Sequence, residues 1–141
     1  MGSNPTRGDP RPSLIVADDD PEVLNQLQAL LVDEFEILGA VADGQALIDA
    51  VERLSPDAVV TDITMPVMNG LQATRELMRR RSLLPVIILS VHDDAAYVEA
   101  ASDAGALAFV VKRCASSDLV PAIRSALSGK HYMSPVLTDG A

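Results

Sequence analysis

Residues 58–66 read Ala58-Val59-Val60-Thr61-Asp62-Ile63-Thr64-Met65-Pro66, and Asn69-Gly70 follows shortly after. A short apolar run stopped by an acid, then by proline and glycine, predicts a buried strand and a turn. A strand apolar on both faces belongs to a parallel sheet with helices on each side. The sequence on either side repeats this pattern. Leu14-Ile15-Val16-Ala17 ends on Asp18, Asp19 and Asp20, Pro85 to Ser90 ends on a hydroxyl, and Ala106 to Val111 ends on Lys112. Phe35 to Val41 supplies a further strand. Helical signals lie between. Asp20-Pro21 reads as an N-cap with proline at the first helical position, ahead of Val23, Leu24, Leu27, Leu30 and Leu31. Asp43-Gly44 opens a helix with Ala46, Leu47, Ala50, Val51 and Leu54 on one face, broken by Ser55-Pro56-Asp57. Further helices are predicted over about 71–81, over 95–104 closed by Gly105, and from a Ser116 cap to Ser128 with Gly129 after it. Five strands alternating with five helices define an α/β, doubly wound parallel sheet.

The chain has 141 residues, enough for one domain that buries its core without disulfide or metal staples. Hydrophobic residues make up 48 % and charged residues 22 %, which excludes a disordered chain. No apolar run approaches the ~20 residues of a membrane span, and residues 1–12 carry no secretory pattern. Cys114 is the one cysteine, so a reducing, cytoplasmic setting is expected. Twenty acidic against 11 basic residues give a formal charge of −9, which should repel nucleic-acid phosphates.

Sites in open parallel sheets form beyond the carboxyl ends of the strands. Asp18, Asp19, Asp20, Asp62, Ser90 and Lys112 all fall there. Taken singly, each has a plain explanation as a turn former, cap or solvated charge. Together they suit one task. Clustered carboxylates repel one another and recruit a hard divalent cation, and magnesium favours carboxylate, water and phosphate oxygens. A lysine can neutralise a phosphoryl oxygen and a hydroxyl can donate to another. This apparatus suits phosphoryl transfer to a carboxylate nucleophile.

On these residues the sequence resembles the receiver domain of bacterial two-component response regulators over about residues 13–130. The motifs are Leu14 to Asp20, Val59 to Pro66 with Asn69-Gly70, Ile87 to Ser90, and Ala104 to Lys112. The resemblance implies a flavodoxin-like, CheY-like (βα)5 sheet in the order 2-1-3-4-5. It implies Asp62 as phosphoacceptor, supplied by the phosphohistidine of a sensor histidine kinase. It implies magnesium on Asp18, Asp19, Asp62 and the Thr64 backbone carbonyl, with Ser90 and Lys112 on the phosphoryl oxygens. Ser90 and Phe109 would form the switch, Phe109 filling the space that Ser90 vacates. A finer resemblance is to the NarL/FixJ (LuxR-type) subfamily, through Ala17-Asp18-Asp19 before Pro21 and the run from Ala122 to Pro135. It implies a homodimer when phosphorylated, and DNA binding only through a C-terminal helix-turn-helix domain outside this chain. Residues 1–12 are then a flexible leader and 131–141 the start of a linker, of an excised receiver or a natural receiver-only regulator.

The sequence departs from that pattern in places. Asp20 stands where the subfamily usually has His, adding charge beside the metal site. Arg113 follows Lys112 where many receivers have proline, so no cis proline is expected there. Phe109 lacks a tyrosine hydroxyl, and Thr64 and His92 lie where phosphate lifetime is tuned. His92 is read as a solvated loop histidine in preference to a base, His131 as surface, Met65 and Met68 as packing, and Arg79-Arg80-Arg81 as a helix C-terminus complementing its dipole. Cys114 is not read as a redox thiol. Two alternatives remain. One is a pseudo-receiver that binds without phosphorylation. The other is an aspartate-nucleophile phosphatase of haloacid-dehalogenase type, which would use Asp18 but finds Glu22 where its motif needs Thr. A dinucleotide fold is excluded because no glycine-rich loop follows the first strand.

Overall fold

A computed structural model describes residues 11–134. Its elements in chain order are β1 (Ser13–Ala17), α1 (Pro21–Leu31), β2 (Glu36–Val41), α2 (Gly44–Leu54), β3 (Ala58–Thr61), α3 (Gly70–Arg80), β4 (Val86–Ser90), α4 (Ala95–Ala104), β5 (Ala108–Val111), a 3-10 turn (Lys112–Cys114), α5 (Ala115–Leu127) and β6 (Tyr132–Met133). All pairings are parallel, in the order β2-β1-β3-β4-β5-β6. The expected order 2-1-3-4-5 is therefore extended by a sixth strand. Residues 132 and 133 lie in the sheet, although 131–141 read as linker. A two-residue strand is too short for periodicity to reveal. The rest of that segment from 135 on, and the leader up to residue 10, lie outside the described residues.

The helices cover both faces, as the apolar strands require. Ile15, Val59, Val86, Ile88 and Phe109 pack with α2, α3 and α4 on one side. Leu14, Val16, Val60, Ile87, Leu89 and Val110 pack with α1 and α5 on the other. Phe35 is fully buried beneath Arg124, whose guanidinium carbon lies 5.2 Å from the ring centroid. At the amino end of the sheet, Ser13 N–H donates to Asp57 Oδ2 at 2.8 Å, and Asp57 N–H donates to the Ser13 carbonyl at 2.9 Å. These bonds fix the start of β1 against the start of β3.

Three helices are capped by side chains, the first by the Asp20 that the sequence predicts. Asp20, Asp43 and Asn69 each accept a backbone N–H of the first turn, and Asn69 forms a reciprocal capping box with Gln72. The last helix departs from expectation. Ser116 is not its cap, because the 3-10 turn after β5 runs directly into α5 at Ala115 and leaves Ser116 exposed inside the helix. Pro121 sits inside α5 and withholds one ladder bond, from the position opposite Ser117.

The basic run at the end of α3 is neutralised locally. Glu76 lies 2.5 Å from both Arg79 Nη2 and Arg80 Nε, and Glu52 of α2 lies 3.9 Å from Arg80 and 3.8 Å from Arg81. Hydrogen bonds from Arg79 and Arg80 lower the Glu76 pKa from 4.5 to about 2. A depressed carboxyl stabilises the fold above its unfolded pKa and loses that contribution as pH falls through the folded one. Glu76→Gln should therefore reduce thermal stability near neutral pH, with its melting temperature converging on wild type as the pH approaches about 2. Thermal melts across this acid range check the convergence; a constant offset would exclude the mechanism.

Candidate functional site

The ladder bonds run one residue past β1 and β3. Asp18 N–H donates to the Val41 carbonyl at 3.0 Å and Asp62 N–H to the Ala17 carbonyl at 2.9 Å. Both residues are thereby fixed at the carboxyl edge, and both are buried, at 1 % and 7 % exposure. Asp18 Oδ1 accepts from the Asp20 amide at 2.9 Å, and Asp62 Oδ1 accepts from the Ile63 amide at 2.8 Å. Their other oxygens face Lys112, whose Nζ lies 2.7 Å from Asp18 Oδ2 and 3.4 Å from Asp62 Oδ2. Asp19 is exposed at the rim. Carboxylate oxygens of Asp18, Asp19 and Asp62 lie within 4.8 Å of one another. Asp20 is used differently, since its Oδ1 accepts from Glu22 N–H at 2.9 Å and caps α1.

Electrostatics set the two central groups against each other. Burial raises the Asp62 pKa, Lys112 opposes that and Asp18 adds to it, and the net result lies above the ordinary aspartate value. For Lys112, burial alone lowers the pKa, but the hydrogen bond to Asp18 and the charges of Asp62 and Asp18 outweigh it and hold the ammonium above the ordinary lysine value. The lysine thus stays charged at neutral pH, and the carboxylate it touches is unusually basic.

The β3–α3 loop is built by close approach. Gly70 N–H donates to the Ile63 carbonyl at 2.7 Å, and a Cβ on Gly70 would stand 1.9 Å from the Asp62 carbonyl oxygen. A Cβ on Gly44 would likewise stand 2.3 Å from the Met68 carbonyl oxygen. Only glycine lets the start of α3 lie this close to the end of β3, and the start of α2 this close to the β3–α3 loop. Val67 is 82 % exposed at φ 69°, in a tight turn closed by Met68 N–H to the Pro66 carbonyl at 2.7 Å. That backbone conformation disfavours a β-branched residue. Thr64 is exposed, Met65 is buried and Met68 is half-buried, so both methionines pack.

The hydroxyl and switch residues lie next door. Ser90 is fully buried and its Oγ accepts from His92 N–H at 3.0 Å, leaving its proton to donate. The His92 ring stacks on Tyr97 at 4.1 Å between centroids, so it is a partner of α4 and not a free loop side chain. Phe109 is buried, at 3 % exposure. Arg113 Nη2 lies 3.0 Å from Asp93 Oδ2 and ties the turn after β5 to the loop after β4. This contact was not anticipated; its one sequence signal is arginine in a place where proline is common. Among the described residues all peptide bonds are trans, His131 is exposed and Cys114 is a half-buried free thiol.

The family model of the response regulator receiver domain matches residues 14–124. The chain belongs to that family. This receiver is 35 % identical over 105 residues to the transcriptional regulatory protein DegU of Brevibacillus brevis, covering 74 % of this chain and 44 % of that protein. It is 34 % identical over 119 residues to the DNA-binding transcriptional activator EvgA of Escherichia coli, covering 84 % and 58 %. A LuxR-family two-component response regulator from Aurantimonas superposes with a TM-score of 0.87 at 27 % identity, covering 92 % of this chain and 94 % of that one. Its structural neighbours thus include the LuxR/NarL class of regulators. The receiver spans about half the length of these curated relatives. Among the described residues no helix is long and apolar enough to cross a membrane.

Two consequences are measurable. Because the charged form of Asp62 is disfavoured in the fold, Asp62→Asn should raise the melting temperature at neutral pH, with the gain shrinking as acid protonates the wild-type carboxyl. Val67→Gly should stabilise by about 0.5–1 kcal/mol, relief of strain exceeding the added entropy of the unfolded glycine. Urea unfolding tests the second, and equal or lower stability would show that Val67 is unstrained.

Proposed function

We propose that this receiver takes a phosphoryl group onto Asp62 from the phosphohistidine of a sensor histidine kinase. The observation that carries the reading is the Lys112 ammonium at 2.7 and 3.4 Å from two buried carboxylates. A positive charge held there is worth most when a more negative group arrives. The oxygen donors of Asp18, Asp19 and Asp62 fit magnesium in number and hardness, with the Thr64 carbonyl as the fourth protein ligand. When bound, the ion supplies charge that offsets repulsion between Asp62 and the incoming phosphoryl group. Asp62 attacks phosphorus, the P–N bond breaks, the departing imidazole takes up a proton, and an acyl phosphate remains. Lys112 transfers its contact to a phosphoryl oxygen, and Ser90 donates its free proton to another.

The output is a change of surface, not turnover; the receiver's own chemistry is limited to accepting and slowly losing the group. A new charged hydrogen bond of ~2 kcal/mol changes a two-state ratio about thirtyfold. We assign that change to dimerisation and to release of a DNA-binding output domain outside this chain, in the cytoplasm. The name of EvgA as a DNA-binding activator supports the assignment. The chain's own charge of −9 makes it a poor DNA ligand without that domain. The phosphatase alternative would need Asp18 as nucleophile, yet Asp18 is the more deeply buried of the two carboxylates, at 1 % exposure against 7 % for Asp62, and Glu22 stands where that motif needs Thr.

The test is intact mass after incubation with acetyl phosphate and magnesium. Wild type should gain one phosphoryl group (~80 Da, the mass of the group transferred to the carboxylate), and Asp62→Ala should gain none. A gain that persists in Asp62→Ala and is lost in Asp18→Ala would move the nucleophile to Asp18; no gain in a magnesium-binding wild type would favour the pseudo-receiver. Ser90→Ala should still accept phosphate while its conformational response to phosphorylation falls by about thirtyfold. Chemical-shift changes remote from the site measure that response, and an unaltered response would remove Ser90 from the switch.

A further inference from the structure

Two residues of β-strand cannot hold themselves in place, yet β6 is docked by three bonds to β5. Tyr132 N–H donates to the Leu107 carbonyl at 3.0 Å, and Ser134 N–H donates to the Phe109 carbonyl at 3.0 Å. Val111 N–H donates to Ser134 Oγ at 3.2 Å, and Ser134 is fully buried. This hydroxyl ends the outer edge of β5 one residue before Lys112. The strand alternates across the sheet. Tyr132 lies beside Ala108 and packs with the α5 side, which places Met133 beside Phe109 on the α4 side.

Between α4 and these strands lies a groove of about 250 Å³, with Val98, Ala101, Phe109 and Met133 among its walls. An apolar cavity on the order of 150 Å³ accommodates a benzene ring. Phe109 therefore has space to swing out of the core, and a ring in that space meets Met133. A buried Phe109 and a docked β6 accordingly favour each other. At its carboxyl end β5 is coupled to the acceptor site, because Val111 pairs with Ser90 and is bonded to Lys112.

We propose that β6 is a strap whose hold on β5 tightens when Asp62 is phosphorylated, so that Tyr132 to Ser134 are held more firmly against the sheet edge in the activated state. This rests on the phosphoacceptor reading above. When Ser90 and Lys112 engage a phosphoryl group, the end of β5 is fixed with Phe109 inside, and the three acceptor and donor groups that hold β6 are fixed with it. Linkage makes the effect reciprocal: the factor by which the bound group tightens β6 is the factor by which binding at Asp62 is weaker when β6 is undocked.

Amide exchange followed by NMR in the whole chain, with magnesium and with or without beryllofluoride, tests the strap. In wild type the Tyr132 and Ser134 amides should slow about fivefold on adding beryllofluoride. Ser134→Ala should exchange about fivefold faster at Tyr132 without the ligand, and should bind beryllofluoride more weakly, by at most about fivefold. The Ile63 and His92 amides, which donate to Asp62 Oδ1 and Ser90 Oγ, report on the site itself. If they respond while β6 does not, the strap is wrong and the phosphoacceptor reading stands. If neither responds, both are wrong.

Discussion

Two carboxylates buried side by side cannot both be ionised unless a positive charge lies between them, and in this receiver Lys112 is that charge. Asp18 and Asp62 are extended by backbone hydrogen bonds from neighbouring strands, so neither can retreat into water. Their repulsion is a property of the sheet. The lysine arrives from a third strand and closes the arrangement at 2.7 and 3.4 Å. The cluster is therefore compensated enough to fold, while burial still holds the Asp62 carboxyl above the ordinary aspartate value. A site of this kind is destabilising for the scaffold that bears it, as functional sites commonly are.

Much of this was legible because the chemistry sits at strand ends. Apolar runs as short as Ala58–Thr61 define their own limits, and the residue that stops each run is the residue delivered to the sheet edge. Asp18, Asp62, Ser90 and Lys112 follow from that logic alone. The subtler placements needed the resemblance or the coordinates. Thr64 offers a backbone carbonyl, which no side chain announces. Ser116 looked like a helix cap, but local preference gave way to a chain already turning at Lys112–Cys114. Phe109 lies inside, among neighbours such as Ala101 and Val98 that are close only in three dimensions, so its burial could not be read from the sequence. β6 went unseen because its hold comes from a serine hydroxyl and two amides, and not from an apolar pattern.

Around the acceptor, steric tolerance is nearly absent. The backbone of Gly70 rests against the Asp62 carbonyl and that of Gly44 against the Met68 carbonyl, with no space for a single carbon at either place. Packing this close means that α3, α2 and the acceptor strand have no independent play. The loops after β4 and β5 are held to each other only by the exposed pair of Arg113 and Asp93 among the described side-chain ion pairs. An exposed ion pair is weak enough to break and re-form within the energy of one phosphoryl contact.

Six parallel strands also give the molecule two distinct poles. The bonds between Ser13 and Asp57 secure the chain where it enters the sheet, at the pole opposite the carboxylates. A five-residue strand then separates that pole from Asp18, a distance of about 16 Å at ~3.3 Å per residue. Because β6 runs in the same direction, Ser134 leaves from the other pole. A fluorophore attached at Pro12 would report tumbling and little else, whereas one at Met133, exposed on β6, would stand on the strand that ends in the hemisphere of Asp62. The polarity of the sheet thus decides which edge residue can serve as an optical window on the carboxylates.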